Sequence, residues 1–246
     1  NKPIVSGVRS IIRQHSRDIA VETFHAFAKQ QAERALATKI NPLFKLYASH
    51  IPNLAEQIKL DKDKIAEEIE YINDYLISSE EAYLEYERQG RGFSLQKNQR
   101  SLIWQLYENI TAALKTNNTA GQPHLASLYI RDLCLLDSPE NLRKYDHIMI
   151  DEAQFFAPSW LQLTKKSLQA NGKIFMCADP NQGFLKHRLS WRSVGLNVQG
   201  RTRKLQQPYR STYQIMAAAN RLISLIQEED EDYVKPEFRS IPHGPK

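Results

Sequence analysis

The segment DHIMIDEAQ, residues 146–154, carries the strongest structural signal in this sequence. Its apolar run ends in two adjacent carboxylates, Asp151 and Glu152, which are followed by Ala153 and Gln154. A short apolar run that stops on acids predicts a buried parallel strand whose end carries charge to the carboxyl edge of a sheet. Open α/β sheets bind ligands at that edge. For Asp151 taken alone, an ordinary turn residue is the alternative.

The composition indicates an ordinary globular protein. A chain of 246 residues allows one large or two modest domains. No apolar run approaches the length of a membrane span, and the N-terminus lacks a secretory pattern. Cys134 and Cys177 each have apolar neighbours, which predicts buried free thiols without a disulfide or a zinc site. We therefore expect a cytoplasmic protein with no membrane partner.

The charge is unevenly distributed. The formal net charge is +5, residues 61–88 are dense in Asp and Glu, and residues 183–210 carry seven basic side chains and no acid. Trp191 and Tyr209 lie in that basic segment. Basic residues interleaved with aromatic ones suit a phosphate or nucleic-acid surface. A solvated positive face explains the charge alone equally well.

The spacing of apolar residues predicts a helical region inside an α/β fold. Residues 19–22 are predicted to form a strand that ends at Thr23-Phe24-His25, and a helix is expected from there to about residue 39. One long or two shorter amphipathic helices are predicted over residues 61–89, and the clearest helix spans residues 98–115.

The later half of the chain has the pattern of a right-handed βαβ unit. Strand 146–150 is followed by residues 158–162, in which Ser159 and Gln162 are predicted to form the capping box of a helix that runs to Asn171-Gly172. A second strand is predicted over residues 173–178. Together with strand 19–22 these strands would form one parallel sheet. The helices between about 40 and 116 are then an insertion between sheet strands.

An Asp-Glu pair at a strand end suits nucleotide hydrolysis. One carboxylate holds Mg²⁺, usually through water, and its neighbour polarises the water that attacks the γ-phosphate. Gln182 follows the second strand and is placed to sense that phosphate. Arg210 is a candidate to neutralise the charge that develops during transfer.

Four segments, in order, resemble motifs of the UvrD/Rep-like superfamily one DNA helicases. Thr23-Phe24-His25 resembles the segment that lies against single-stranded DNA. DEAQ (151–154), ADPNQ (178–182) and LQQPYRST (205–212) resemble motifs II, III and IV. The resemblance implies a RecA-like P-loop NTPase sheet with an α-helical insertion subdomain, which would couple ATP hydrolysis to movement on DNA.

The resemblance also implies roles for single residues. Asp151 would coordinate Mg²⁺, Glu152 would be the catalytic base, and Gln182 would couple the γ-phosphate to the DNA-binding face. The remaining implied assignments are Gln154 and Tyr209 for ATP, Arg210 for the γ-phosphate, and Thr23, Phe24, His25, Trp191 and Arg192 for DNA. Core packing remains the alternative for Phe24 and Trp191, and His25 is alternatively a hydrogen-bonded strand-end residue.

The resemblance divides the chain into four parts. Residues 1–38 and 121–204 would belong to the first RecA-like domain, residues 39–120 to the insertion, and residues 205–246 to the start of the second RecA-like domain. The family's phosphate loop, G-x-x-x-x-G-K-[ST], is expected upstream of Thr23 and does not occur in these 246 residues. We therefore expect an internal piece of a longer helicase that does not hydrolyse ATP by itself.

The predicted function of the whole protein is ATP-dependent translocation on DNA and duplex unwinding, 3′-to-5′ by family analogy. Its expected partners are single-stranded DNA, single/double-strand junctions, and other repair or replication proteins. A non-catalytic nucleic-acid-binding or scaffold protein derived from a helicase is the rival prediction. A generic P-loop signalling ATPase or GTPase explains neither Thr23-Phe24-His25 nor Tyr209-Arg210.

Overall fold

The computed structural model describes residues 2–14, 16, 18–88, 91–116, 123–136, 141–179, 195–205 and 211–224. The chain divides into two compact units. The first consists of Asn1–Ile150 and Phe156–Met176, and the second of Asp151–Phe155 and Cys177–Lys246.

The first unit alternates helices with two short parallel strand pairs. Its elements are α1 (Lys2–Arg13), α2 (Phe24–Ala35), β1 (Asn41–Leu43), α3 (Lys62–Asp74), α4 (Glu80–Glu85), α5 (Lys97–Thr116), β2 (Pro123–Leu125), α6 (Ala126–Leu135), β3 (Tyr145–Ile150), α7 (Pro158–Lys166) and β4 (Leu168–Met176). Strand β1 pairs in parallel with β2, and β3 pairs in parallel with β4. The second unit contains α8 (Tyr213–Ser224).

Two hydrophobic cores organise the first unit. The larger one joins the apolar faces of α3 and α5 with Tyr83 of α4, and Ile65, Ile69, Ile72 and Tyr83 are fully buried in it. The smaller core packs Ala28 and Ala32 of α2 against α6 and Leu163 of α7. The predicted helices 61–89 and 98–115 therefore exist, the first as the two helices α3 and α4.

A buried carboxylate lies beside the larger core. Glu68 of α3 is fully buried and pairs with Arg88 at 2.5 Å and with Arg91 at 3.0 Å. The Tyr83 hydroxyl donates a further hydrogen bond to Glu68 at 2.7 Å. Burial by itself raises the pKa of Glu68, but the hydrogen bond from Arg88 and the charges of Arg91 and Arg88 outweigh it and hold that pKa below its ordinary value.

The predicted strand 19–22 is wrong. These residues have no strand partner, and helix α2 starts immediately after Thr23. The carbonyl oxygen of Val21 instead accepts hydrogen bonds from Nε and Nη2 of Arg9, at 3.0 and 2.6 Å. A side chain of α1 thus provides the hydrogen bonds that a neighbouring strand would provide to this carbonyl.

The parallel pairing of β3 with β4 confirms the βαβ prediction, but three of its details are wrong. Ala157, not Ser159, precedes the first turn of α7, so the predicted Ser159–Gln162 capping box does not form. The helix ends at Lys166, well before Asn171-Gly172, and β4 already begins at Leu168. A register shift between Tyr145 and His147 accommodates the additional residues of β4.

The prediction that β3 is a buried strand is also wrong. Met149 is 80% exposed and Phe175 of β4 is 63% exposed, whereas Ile150 is buried. Met149 and Phe175 are register partners on the same face, so that face of the pair is exposed. Among the described residues, β4 is the only strand that pairs with β3. A large parallel sheet is not part of the described structure.

Candidate functional site

The acid pair emerges at the surface directly after β3. Asp151 and Glu152 are both exposed. Glu152 adopts a φ of 55°, a left-handed conformation that non-glycine residues rarely adopt. The backbone N–H of Glu152 donates to Oδ1 of Asp151 at 3.1 Å. Ala37, Lys59, Leu76 and Asn141 also have positive φ, so it is the two exposed carboxylates directly after a strand, rather than the backbone conformation, that make the acid pair a candidate site.

Gln154 connects the acid pair to the residues that follow β4. Its Nε2 donates to Oε2 of Glu152 at 2.6 Å, and its Oε1 accepts from the backbone N–H of Asp179 at 3.0 Å. The backbone N–H of Ala153 donates to the carbonyl of Cys177 at 2.9 Å. The residues that follow the two strands are therefore held together, and the carboxylate of Glu152 is fixed by a neutral donor.

The carboxylate of Asp151 is a suitable ligand for a magnesium ion that also binds phosphate. Within the described ranges, no group of three or more His, Cys, Asp or Glu side chains is arranged to hold a metal. Magnesium usually binds proteins through one or two carboxylates and completes its shell with waters and substrate phosphates. The exposed carboxylate of Asp151 meets that requirement.

Thr23 and Phe24 have local structural roles. Oγ1 of Thr23 accepts the backbone N–H of Ala26 at 3.3 Å and caps α2. The ring of Phe24 stacks on the indole of Trp160, with centroids 4.3 Å apart and an interplanar angle of 13°. Phe24 also packs against the smaller core. The core alternative for Phe24 is thus realised in part, and its predicted DNA contact stays a prediction.

His25 belongs to the same aromatic group. Its ring meets Trp160 edge-on at 5.1 Å and Phe44 edge-on at 5.2 Å. Burial lowers the pKa of His25 below its ordinary value of 6.5, so the ring is predominantly neutral at pH 7. A contact of His25 with DNA would therefore rest on ring stacking or hydrogen bonding rather than on charge.

A polar cleft of about 620 Å³ lies elsewhere in the first unit. Residues of α1, of the 18–22 segment and of α2 line it together with Arg143. None of the catalytic, ATP-binding or DNA-binding residues predicted from the sequence lines this cleft. One of its lining residues, Arg9, already donates hydrogen bonds to the carbonyl of Val21.

The structure groups some predicted residues and leaves others aside. Asp151, Glu152 and Gln154 come together in the second unit, and Thr23, Phe24 and His25 come together in the first. Sequence reasoning missed Trp160 and Phe44, because an aromatic residue at core-like spacing gives no separate signal. Outside the described residues lie Gln182, Trp191, Arg192, Tyr209 and Arg210.

Cys177 corrects a further expectation. The sequence predicted two buried thiols, yet Cys134 is half-buried and Cys177 is exposed. The reason is that β4 ends at Met176, so Cys177 already belongs to the segment beyond the strand. Burial raises the pKa of the Cys134 thiol to about 12, and that thiol donates to the carbonyl of Ser159.

The described structure combines helices with parallel strand pairs, as in α/β proteins, and two exposed carboxylates directly follow strand β3. The family model of the UvrD/REP helicase N-terminal domain matches residues 4–199. This match covers more than half of the 246 residues, and the chain therefore belongs to the UvrD/REP helicase family. No curated protein matches the chain. Among the described residues, none of the helices has the length and apolar content needed to cross a bilayer.

Proposed function

We propose that the protein containing this chain couples ATP hydrolysis to movement on single-stranded DNA and to duplex unwinding. The observation that carries this proposal is the exposed Asp151–Glu152 pair, which Gln154 ties to the segment after β4. Membership of the UvrD/REP helicase family supports the same reading. A cytoplasmic location and a larger RecA-like sheet belong to the same proposal.

Glu152 is the proposed proton acceptor. The amide of Gln154 donates to Oε2 of Glu152, which orients the carboxylate, and the exposed side chain can receive a proton from the water that attacks the γ-phosphate. Asp151 and the phosphates of ATP would hold magnesium, which would neutralise the negative charge that develops as the γ-phosphate is transferred. Gln182, Tyr209 and Arg210 are proposed from the resemblance to complete the site.

The test is Glu152→Gln in the full-length polypeptide. The substitution preserves shape and an acceptor for Gln154 but removes the base, so nucleotide binding should persist while turnover falls by about 10²-fold or more. Asp146→Asn is the matched control, because Asp146 is an exposed acid on β3. Turnover in the control should be unchanged.

Two outcomes would contradict the proposal. Near-normal ATP hydrolysis in Glu152→Gln would remove Glu152 from its role. DNA binding by the unaltered polypeptide without any ATP hydrolysis would instead support the rival function, a non-catalytic nucleic-acid-binding or scaffold protein.

Polarity and substrate remain part of the proposal. By family analogy the movement is 3′-to-5′ on single-stranded DNA, with single/double-strand junctions and other repair or replication proteins as further partners. Strand-displacement assays with a 3′ or a 5′ single-stranded tail would measure the polarity. Faster displacement from the 5′-tailed substrate would contradict it.

A further inference from the structure

A short segment after β1 presents aromatic and basic side chains outward. Phe44 and Tyr47 are 51% and 52% exposed, whereas Leu46 between them is buried in the larger core. Lys45 and His50 are exposed as well. We call the exposed side chains of Phe44, Lys45, Tyr47 and His50 the aromatic strip.

The backbone that carries the aromatic strip is held by side chains of α3. The N–H of Leu46 donates to Glu70 at 2.5 Å, and the N–H of Ala48 donates to Asp63 at 3.1 Å. The N–H of Tyr47 donates to Nδ1 of His50 at 3.0 Å. Together with the buried side chain of Leu46, these bonds hold the backbone of the strip against the larger core.

Ring contacts link the aromatic strip to the Thr23-Phe24-His25 segment. Phe44 meets the ring of His25 at 5.2 Å with an interplanar angle of 90°. At the other end, the ring of Tyr47 lies 5.9 Å from that of His50, and Nζ of Lys45 lies 5.8 Å from the Tyr47 centroid. The strip therefore extends a predicted DNA contact across neighbouring exposed rings.

We propose that the aromatic strip binds single-stranded DNA by base stacking, with Phe44 and Tyr47 as the stacking residues. Exposed rings interleaved with basic side chains suit a nucleic-acid strand, because every base has a face on which an aromatic ring can stack. The inference rests on the proposed function, since it assigns a further contact to the same DNA strand.

Stacking rather than charge should dominate at the strip. Lys45 supplies the positive charge of the strip, since Nδ1 of His50 accepts the N–H of Tyr47 and is therefore unprotonated. The carboxylates of Asp63 and Glu70 lie against the same backbone and offset the charge of Lys45. Loss of the bases from the DNA should therefore weaken binding at the strip more than loss of a phosphate contact does.

The experiment measures fluorescence anisotropy of two labelled probes bound to the chain: a single-stranded oligodeoxythymidine and an abasic oligonucleotide of the same length. Phe44→Ala and Tyr47→Ala should each lower affinity for oligodeoxythymidine by about fivefold to a hundredfold. Affinity for the abasic probe should change little. Phe44→Trp should preserve binding because it keeps a stacking face.

Phe175→Ala is the matched control, because Phe175 is an exposed phenyl group on β4. It should leave both affinities unchanged, and melting curves of all variants should show that the fold persists. Unchanged affinity of the Phe44/Tyr47 double variant for oligodeoxythymidine would overturn the proposal, as expected if the strip serves a protein partner. An equal loss on both probes would also overturn it. If the unaltered chain bound neither probe, the strip and the DNA-binding part of the proposed function would fall together.

Discussion

The indole of Trp160 in α7 lies almost parallel to the ring of Phe24 in α2, with 4.3 Å between the centroids. Phe156 meets both rings at steeper angles, at 5.2 Å from Phe24 and 5.5 Å from Trp160. The start of α2 is thus held against α7 through aromatic packing. Aromatic pairs in such geometries contribute more than the area they bury.

We expect the stack of Phe24 on Trp160 to contribute measurably to the free energy of unfolding. Phe24→Ala and Trp160→Ala should each lower the free energy of unfolding by about 2–4 kcal/mol, since both rings are partly buried and leave a cavity. A double-mutant cycle by urea unfolding should give a coupling of about 1 kcal/mol. Strictly additive effects of the two substitutions would contradict a direct stack.

Gln154 should affect both stability and turnover. Gln154→Ala removes the donor to Glu152 and the acceptor for the Asp179 amide. The free energy of unfolding should therefore fall by about 1 kcal/mol. In the full-length polypeptide, ATP turnover should also fall because the proposed base loses its orienting contact.

Gln154→Glu separates the two hydrogen bonds. A glutamate keeps an acceptor for the Asp179 amide but places a second negative charge beside Glu152. Its turnover should therefore be at least as low as that of Gln154→Ala, and the difference between the two melting temperatures compares the retained hydrogen bond with the added charge repulsion. Steady-state hydrolysis and thermal melts measure the two effects. Wild-type turnover in both variants would show that the contact with Glu152 is irrelevant to catalysis.

Glu68 should make stability depend on acid. Its pKa in the folded protein is lower than the ordinary 4.5, so the stabilisation it provides is complete above pH 4.5 and is lost as pH falls towards the folded value. Glu68→Gln leaves Arg88 and Arg91 without their buried partner, and should cost about 3–5 kcal/mol at pH 7.

The pH series supplies the check on Glu68. Unfolding by urea between pH 7 and pH 3 should show the difference between wild type and Glu68→Gln narrowing below about pH 4.5. Exposed Glu87 is the control, and Glu87→Gln should stay within about 0.5 kcal/mol of wild type. A difference that widens with acid would refute the assigned direction of the Glu68 pKa.

Two glycines should respond in opposite directions to alanine. A Cβ on Gly172 would lie 3.0 Å from the Gln169 carbonyl and from side-chain atoms of Leu168, so Gly172→Ala should destabilise by about 1–3 kcal/mol. Gly7 in α1 has no such neighbour within 4 Å, and Gly7→Ala should stabilise by up to about 1 kcal/mol. Melting temperatures that shift in the same direction would disprove this contrast.

Periodicity in the sequence predicted the elements well where local pattern and packing agree. The helix predicted over residues 98–115 is α5, Lys97–Thr116, whose apolar stripe faces the larger core. The parallel pairing of β3 and β4 also followed from their apolar runs. Element ends were less predictable, since Asn171-Gly172 has the composition of a helix stop but lies within β4.

Contacts between residues far apart in the sequence could not be predicted from local sequence patterns. The carboxylates after β3 were predictable because an apolar strand ended on charge, but the Gln154 bond to the Asp179 amide joins residues 25 positions apart. The carbonyl of Val21, in the segment predicted to be a strand, likewise accepts hydrogen bonds from the guanidinium of Arg9. Both outcomes depend on a side chain that reaches another segment, and neither leaves a signal in the spacing of residues.

The two thiols differ in exposure and in reactivity, which allows a probe to be attached beside the candidate site. Thiolate is the form that alkylating reagents attack, and the raised pKa of Cys134 keeps that thiol protonated near neutral pH. Cys177 is exposed, and its carbonyl accepts the hydrogen bond from Ala153 beside the acid pair. A maleimide dye should therefore label Cys177 selectively without mutagenesis. Its emission would then report movement of the loops that carry Glu152 and Asp179.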